Sequence, residues 1–245
     1  MGLTSLLLVR HGESSANVAA TAAERTGAEV IDLSHRDADV PLTDTGQSQA
    51  VAVGDWLRSL PDDRFPTSVL SSPYRRAAST AQIALENQRV ALPVQTDERL
   101  RDRELGIIDG LTTTGVETRL PQEAARRRHL GKFYYRPPGG ESWADVALRV
   151  RSLFRDVDHP AYGERMLVVS HDAVITLVRY LCEHLTETDV LALARATPLL
   201  NASVSILDRR DDGSWAVSDY NSVAHLEQSE TPVTAHTGNR DAFPH

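Results

Sequence analysis

Three stretches of the chain share one design: a short apolar run, a polar or charged break, then a helical pattern. Leu6-Leu7-Leu8-Val9 runs into Arg10-His11-Gly12, with a helix expected from about Ser14. Val69-Leu70 runs into Ser71-Ser72-Pro73, where Ser72 fits an N-cap and Pro73 the first helical position. Met166-Leu167-Val168-Val169 runs into Ser170-His171-Asp172, and Val174, Leu177, Val178 and Leu181 mark one face of the following helix. Strands this continuously apolar are normally covered on both faces, as in a largely parallel sheet. The expected fold is α/β, a three-layer sandwich with helices on both faces of a largely parallel central sheet. Such sheets bind ligands beyond the carboxyl ends of their strands. Arg10, His11, Arg76 and His171 all fall on that rim.

Two further segments repeat apolar residues at helical spacing: Ala50, Val53, Leu57 and Leu60, and Trp143, Val146, Val150 and Leu153. Ser142 with Asp145, and Thr186 with Asp189, read as capping boxes. Val204 and Ile206, then Asp212-Gly213, then Trp215 and Val217 read as an antiparallel hairpin at a sheet edge. Residues 105–140 carry few apolar repeats and a basic run, Arg126-Arg127-Arg128-His129, and are read as an inserted cap region over the site. The globular domain is expected over 1–227. The polar stretch 228–245, with Pro232 and Pro244 and no periodicity, is read as a disordered tail.

Composition narrows the ligand. The formal net charge is -8, and of the 26 basic residues only Lys132 is a lysine, so no overall basic field attracts nucleic acid or an anionic membrane. Any bound anion must be captured locally. Cys182 is the single cysteine, which forbids an internal disulfide and fits a reducing cytoplasm. The short apolar run at the N-terminus stops at Arg10 and reads as a strand, not a signal. No stretch reaches the roughly 20 apolar residues that span a bilayer. No feature of the sequence selects an oligomeric state.

Several motifs follow one another in a recognisable order. Leu8-Val9-Arg10-His11-Gly12-Glu13-Ser14, with Asn17, is followed by Pro41-Leu42-Thr43 and Gly46, then Ser71-Ser72-Pro73-Tyr74-Arg75-Arg76-Ala77 with Thr80-Ala81. Later come Arg99 to Gly106, Gly140-Glu141-Ser142 and Val168-Val169-Ser170-His171. This series resembles the histidine phosphatase superfamily, which includes cofactor-dependent phosphoglycerate mutases, over roughly residues 5–225. Gly131 to Ser142 resembles plant and fungal phosphoglycerate mutase-like phosphatases, and the longer insertion of the mutases before their Glu-Ser is missing. The resemblance implies a phosphatase subgroup.

Phosphoryl transfer needs an in-line nucleophile and compensation for charge on three equatorial oxygens. The chain has no Walker A loop, no His-Glu-x-x-His and no calcium-loop spacing, so neither metal nor cofactor is expected. Arg10, Arg76, the Asn17 amide and a His171 that gains or keeps a proton once phosphate is bound are the expected phosphate-binding donors. Neighbouring guanidinium groups would also depress the His11 pKa and keep a ring nitrogen free. The resemblance implies that His11 is the nucleophile and becomes phosphorylated, and that the proton donor lies at Asp102, where many relatives carry glutamate. Glu104 and Asp172 are the alternatives. A donor of this kind needs burial to raise its pKa. The expected activity is hydrolysis of a small phosphomonoester. The competing readings are mutase-type transfer to another hydroxyl and a non-catalytic phospholigand-binding protein. The run Arg126 to Arg128, with Lys132 and Arg136, reads either as a contact for the rest of an anionic substrate or, by preference, as a solvated helix face.

Overall fold

The computed structural model describes residues 2–236. In chain order the elements are β1 (Ser5–Arg10), α1 (Ser15–Thr26), α2 (Asp44–Ser59), β2 (Ser68–Ser71), α3 (Arg75–Leu85), β3 (Val94–Thr96), α4 (Thr113–Arg119), α5 (Pro121–Tyr134), α6 (Trp143–Val157), β4 (Arg165–Ser170), α7 (Asp172–Cys182), α8 (Glu187–Ala196), β5 (Val204–Arg209), β6 (Trp215–Ser222) and α9 (Ala224–Gln228). One sheet runs in the order β3-β2-β4-β1-β5-β6. β3, β2, β4 and β1 are mutually parallel, while β5 and β6 complete the sheet antiparallel. No described helix is long and apolar enough to cross a membrane.

Alternate residues of the central strands serve opposite cores, because side chains of a strand point to opposite faces. Leu6, Leu8, Met166 and Val168 pack with Val146, Val150 and Leu153 of α6 and with Val174, Leu177 and Val178 of α7. Leu7, Val9, Leu167 and Val169 pack with Val53 and Leu57 of α2 and with Ala77, Ala81 and Ala84 of α3. The expected three layers are therefore present, with helices on both faces. Each buried leucine contributes about 1.5–3 kcal/mol relative to exposure. A separate small core of Ile108, Val116, Ala124 and Tyr135 organises the segment expected as an insertion.

The capping boxes at Ser142 and Thr186 form as expected. One expectation is corrected. The helix after β2 starts at Arg75 with Tyr74 as its N-cap, so Ser72 and Pro73 lie before it. Ser72 is drawn elsewhere: its hydroxyl sits 2.8 Å from His171 Nε2 and accepts from the Tyr74 N–H. Of the stretch 228–245 expected as a tail, residues 229–236 lie against the domain, and residues 237–245 lie outside the described range. Polar groups there find buried partners that a composition argument does not see. Gln49 Nε2 donates to Pro232 O and Thr234 Oγ1, and the Asn201 N–H donates to Thr234 O. Among the elements, β3 was not anticipated.

The turn after β1 is braced by backbone in direct contact. A Cβ added to Gly46 would lie 2.0 Å from Glu13 O, and one added to Gly12 would lie 2.5 Å from Gly46 O. No flexible side chain is there to yield. Gly46→Ala is therefore expected to cost about 1–3 kcal/mol and to lower Tm by roughly 2–4 °C per kcal/mol, measured by calorimetry. An unchanged Tm would show that the two segments can part freely.

Candidate active site

Register places the two histidines together. Arg10 pairs with Ser170 at the ends of parallel β1 and β4, so the next residues, His11 and His171, leave the sheet side by side. Their ring centroids are 5.1 Å apart, close to the spacing of adjacent strands. The turn carrying His11 has its backbone satisfied on every side. His11 N–H donates to Ser170 O, Gly12 N–H to Thr80 Oγ1 and Glu13 N–H to Gln49 Oε1, while His11 O accepts from Ala202 N–H and Asn201 Nδ2.

His11 is 3% exposed, and its Nδ1 lies 2.7 Å from Gly12 O. A carbonyl oxygen only accepts, so Nδ1 carries the proton and Nε2 keeps its lone pair. Burial, followed by the charges of Arg76 and Arg10, pushes the His11 pKa well below 6.5. The expected cationic surroundings and their effect on the imidazole are both present.

Arg10 is buried, donating through Nη1 to Leu199 O and through Nη2 to His236 O at 3.0 Å. Both acceptors are neutral, and Nε is buried without a hydrogen-bond partner among the described residues. Burial lowers the Arg10 pKa while Asp172 and Asp102 pull it back. Arg76, at the start of α3, is held by Asp37 at 2.8 Å and by Asp102 at 3.0 Å. Burial works against its charge, but the two carboxylates outweigh burial and raise its pKa. Asn17 Oδ1 accepts from the Ser14 N–H, the Ser14 hydroxyl and Asn201 Nδ2, an arrangement that fixes the side-chain amide at the cavity wall.

For His171 the expectation is a proton gained or kept once phosphate is bound. Burial, then Arg76 and Arg10, push its pKa well below 6.5, so the ring is uncharged here. Its Nδ1 lies 3.3 Å from Asp102 Oδ2 but is not aligned for a hydrogen bond. A proton on it therefore requires an added anion nearby.

Of the three carboxylates considered from sequence, Asp102 and Asp172 line the cavity with His11, Arg10, Arg76 and Asn17. Glu104 turns away, accepting from the Gly106 N–H. The burial expected of a proton donor is incomplete at Asp102, whose side chain keeps 30% of its surface exposed. It is more complete at Asp172, which is pushed above its ordinary value by burial, against the pull of Arg10 and Lys132. Sequence reasoning missed Asp37 and Asp109, which also line the cavity and whose pKa values burial raises.

The basic run divides. Arg126 and Arg128 are exposed and face Glu123 and Glu117, and Arg136 pairs with Asp145, as a solvated face would. Arg127 and Lys132 turn inward and line the cavity.

A family model described as the histidine phosphatase superfamily, branch 1, matches residues 6–223. The chain belongs to that superfamily. Among histidine phosphatase relatives, phosphoglycerate mutase-like protein 4 of Arabidopsis thaliana is 29% identical over 96% of this chain and 92% of its own. The metal-independent phosphoserine phosphatase of the same plant is 28% identical over 91% of this chain and 84% of its own. A mycobacterial glucosyl-3-phosphoglycerate phosphatase, solved in complex with VO3, superposes with TM-score 0.70 at 29% identity, covering 89% of this chain and 99% of that one.

The depressed pKa values have a direct readout. A histidine whose folded pKa lies below 6.5 stays uncharged as the pH falls through 6.5 and protonates only beyond it. Nitrogen-detected NMR is expected to show His11 and His171 in their neutral forms through that titration. Half-protonation of either at its ordinary value would contradict the electrostatics of the site.

Proposed function

We propose that this protein hydrolyses phosphomonoesters in two steps, with His11 taking the phosphoryl group before water releases it. The observation that carries this reading is the uncharged His11 imidazole, its Nε2 open, surrounded by the buried guanidinium groups of Arg10 and Arg76. The arginines, Asn17 and His171 bind the phosphate, and their fixed positions stabilise charge that grows on its oxygens in the transition state. As Nε2 attacks phosphorus, the bond to the ester oxygen breaks and that oxygen takes a proton. In the second step water loses a proton, attacks phosphohistidine and leaves inorganic phosphate, restoring the imidazole.

Asp102 is the general acid and then the base in this scheme. Its carboxylate stands 3.0 Å from Arg76 and 3.3 Å from His171, two of the groups that bind phosphate in this scheme. Phosphatase relatives of similar length support hydrolysis as the outcome. A small phosphorylated molecule as substrate and a cytoplasmic setting, consistent with the lone Cys182, complete the reading.

The two roles separate experimentally. His11→Ala is expected to abolish turnover and to prevent labelling of the protein by a radioactive phosphate ester. Full turnover by that variant would refute the mechanism. Activity is expected to persist in EDTA, because guanidinium groups supply the charge that a metal otherwise would. Asp102→Asn is expected to lower kcat/KM, which reports transfer to His11, by about 10²–10⁴ for an alkyl phosphate and far less for p-nitrophenyl phosphate, since a good leaving group needs no proton. An equal loss on both would move the donor's role away from Asp102. Following 3-phosphoglycerate with a bisphosphate primer distinguishes released phosphate from 2-phosphoglycerate, the product of a mutase.

A further inference from the structure

The cavity that contains His11 has a volume of about 710 Å³, and a phosphate occupies only a fraction of it. Its walls beyond the phosphate end include Leu130 and Phe133 of α5, Trp143 of α6 and Leu191 of α8. Charges return at Lys132. The ammonium stands over the Trp143 ring, 4.4 Å from the centroid. Burial pushes its pKa down to about 8, with Arg103, Arg127 and Arg195 adding to the effect and Asp172 opposing it. Arg127 is 8% exposed, and burial with Arg103 brings it down to about 10. The Arg103 guanidinium donates to Glu141 O at 2.7 Å and Tyr135 O at 3.3 Å, acceptors that are neutral.

These cations form a set distinct from the one around His11. The charges that act on His11 are those of Arg76 and Arg10, whereas those that act on Lys132 come from Asp172, Arg103, Arg127 and Arg195. Asp172 lies in the field of both sets, feeling Arg10 and Lys132 together. Concentrating positive charge on a low-dielectric wall strengthens its attraction for an anion.

We propose that Lys132, Arg127 and Arg103 form a second anion subsite, and that the substrate is a phosphomonoester carrying a further anionic group away from the ester attacked by His11. The proposal rests on the phosphatase reading for the reacting end and deepens it at the other. A carboxylate and a second phosphate offer the same chemistry to this subsite. Leu130, Phe133 and Trp143 contact whatever carbon skeleton separates the two charged ends.

The test compares 3-phosphoglycerate, glycerol 3-phosphate and 1,3-bisphosphoglycerol. Wild-type protein is expected to favour at least one doubly anionic ester over glycerol 3-phosphate by about tenfold or more in kcat/KM, the scale of one charge-assisted hydrogen bond. Which of the two it favours distinguishes carboxylate from phosphate. Lys132→Met combined with Arg127→Met is expected to erase most of that ratio, and Lys132→Arg to retain it. No preference in the wild type, or a ratio unchanged in the double variant, overturns the subsite. Calorimetric binding of the same esters to His11→Ala protein repeats the comparison without turnover. Preferential binding there without hydrolysis by the wild type would sink the phosphatase reading and leave the subsite standing. Hydrolysis with no preference would do the reverse.

Discussion

An imidazole attacks phosphorus only through a nitrogen that carries no proton, and it must do so where a dianion is held. The two demands favour the same surroundings. Burial and nearby guanidinium groups favour an uncharged His11, and in the proposed mechanism the same groups hold the phosphate. Parallel strands make the arrangement rigid. His11 and His171 follow register partners on adjacent strands, so their proximity comes from the backbone ladder and not from flexible side chains. The turn itself is fixed by donors and acceptors drawn from β4, α2, α3 and the approach to β5. Little reorganisation is left for the moment of reaction.

Burying arginines carries an opposing cost. A desolvated guanidinium needs partners, and the two nearest His11 are partnered differently. Arg76 is held by Asp37 and Asp102, which orient it and sustain its charge. Arg10 is held by backbone carbonyls of Leu199 and His236, which orient it without cancelling its charge. The second arrangement depends on the chain near its C-terminus, since one of those carbonyls belongs to residue 236. His236 is secured in turn by Glu13 at 2.7 Å, within the turn that follows His11. The end of the described chain thus closes back on the turn that carries His11.

Legibility from sequence followed the strength of the local signal. β1, β2 and β4 each joined an apolar run to a polar break, so the rim residues Arg10, His11, Arg76 and His171 could be placed before any coordinates. β3 has three residues, two of them exposed, and no periodicity can emerge from so short a strand. Asp37 lies in a polar connection whose only role visible to composition is to be hydrophilic. Its function comes from meeting Arg76, 39 residues away. Ser72 had a sound local explanation as a cap, and tertiary structure gave its hydroxyl a better partner in His171. The contacts of residues 229–236 were hidden for a similar reason, because their polar atoms pair with Gln49 and Asn201, which lie far away in sequence.

The basic run shows how a charge pattern read as a unit can contain two functions. Successive residues of a helix are turned by about 100°, so three adjacent arginines cannot share one environment. Ala124 and Arg127 are buried at a spacing of three on α5, while Arg126 and Arg128 point outward to acidic partners. The backbone then breaks at Gly131, whose φ of 72° suits glycine, and the chain emerges with Lys132 facing Trp143. Arginine keeps its charge when buried, because its guanidinium is difficult to deprotonate. Lysine yields more readily, and the chain places its single lysine on the cavity wall, where burial and three arginines bring it to about 8. The charge at the reacting end is therefore held by residues that do not titrate near neutral pH. At the far end, part of it rests on one that does.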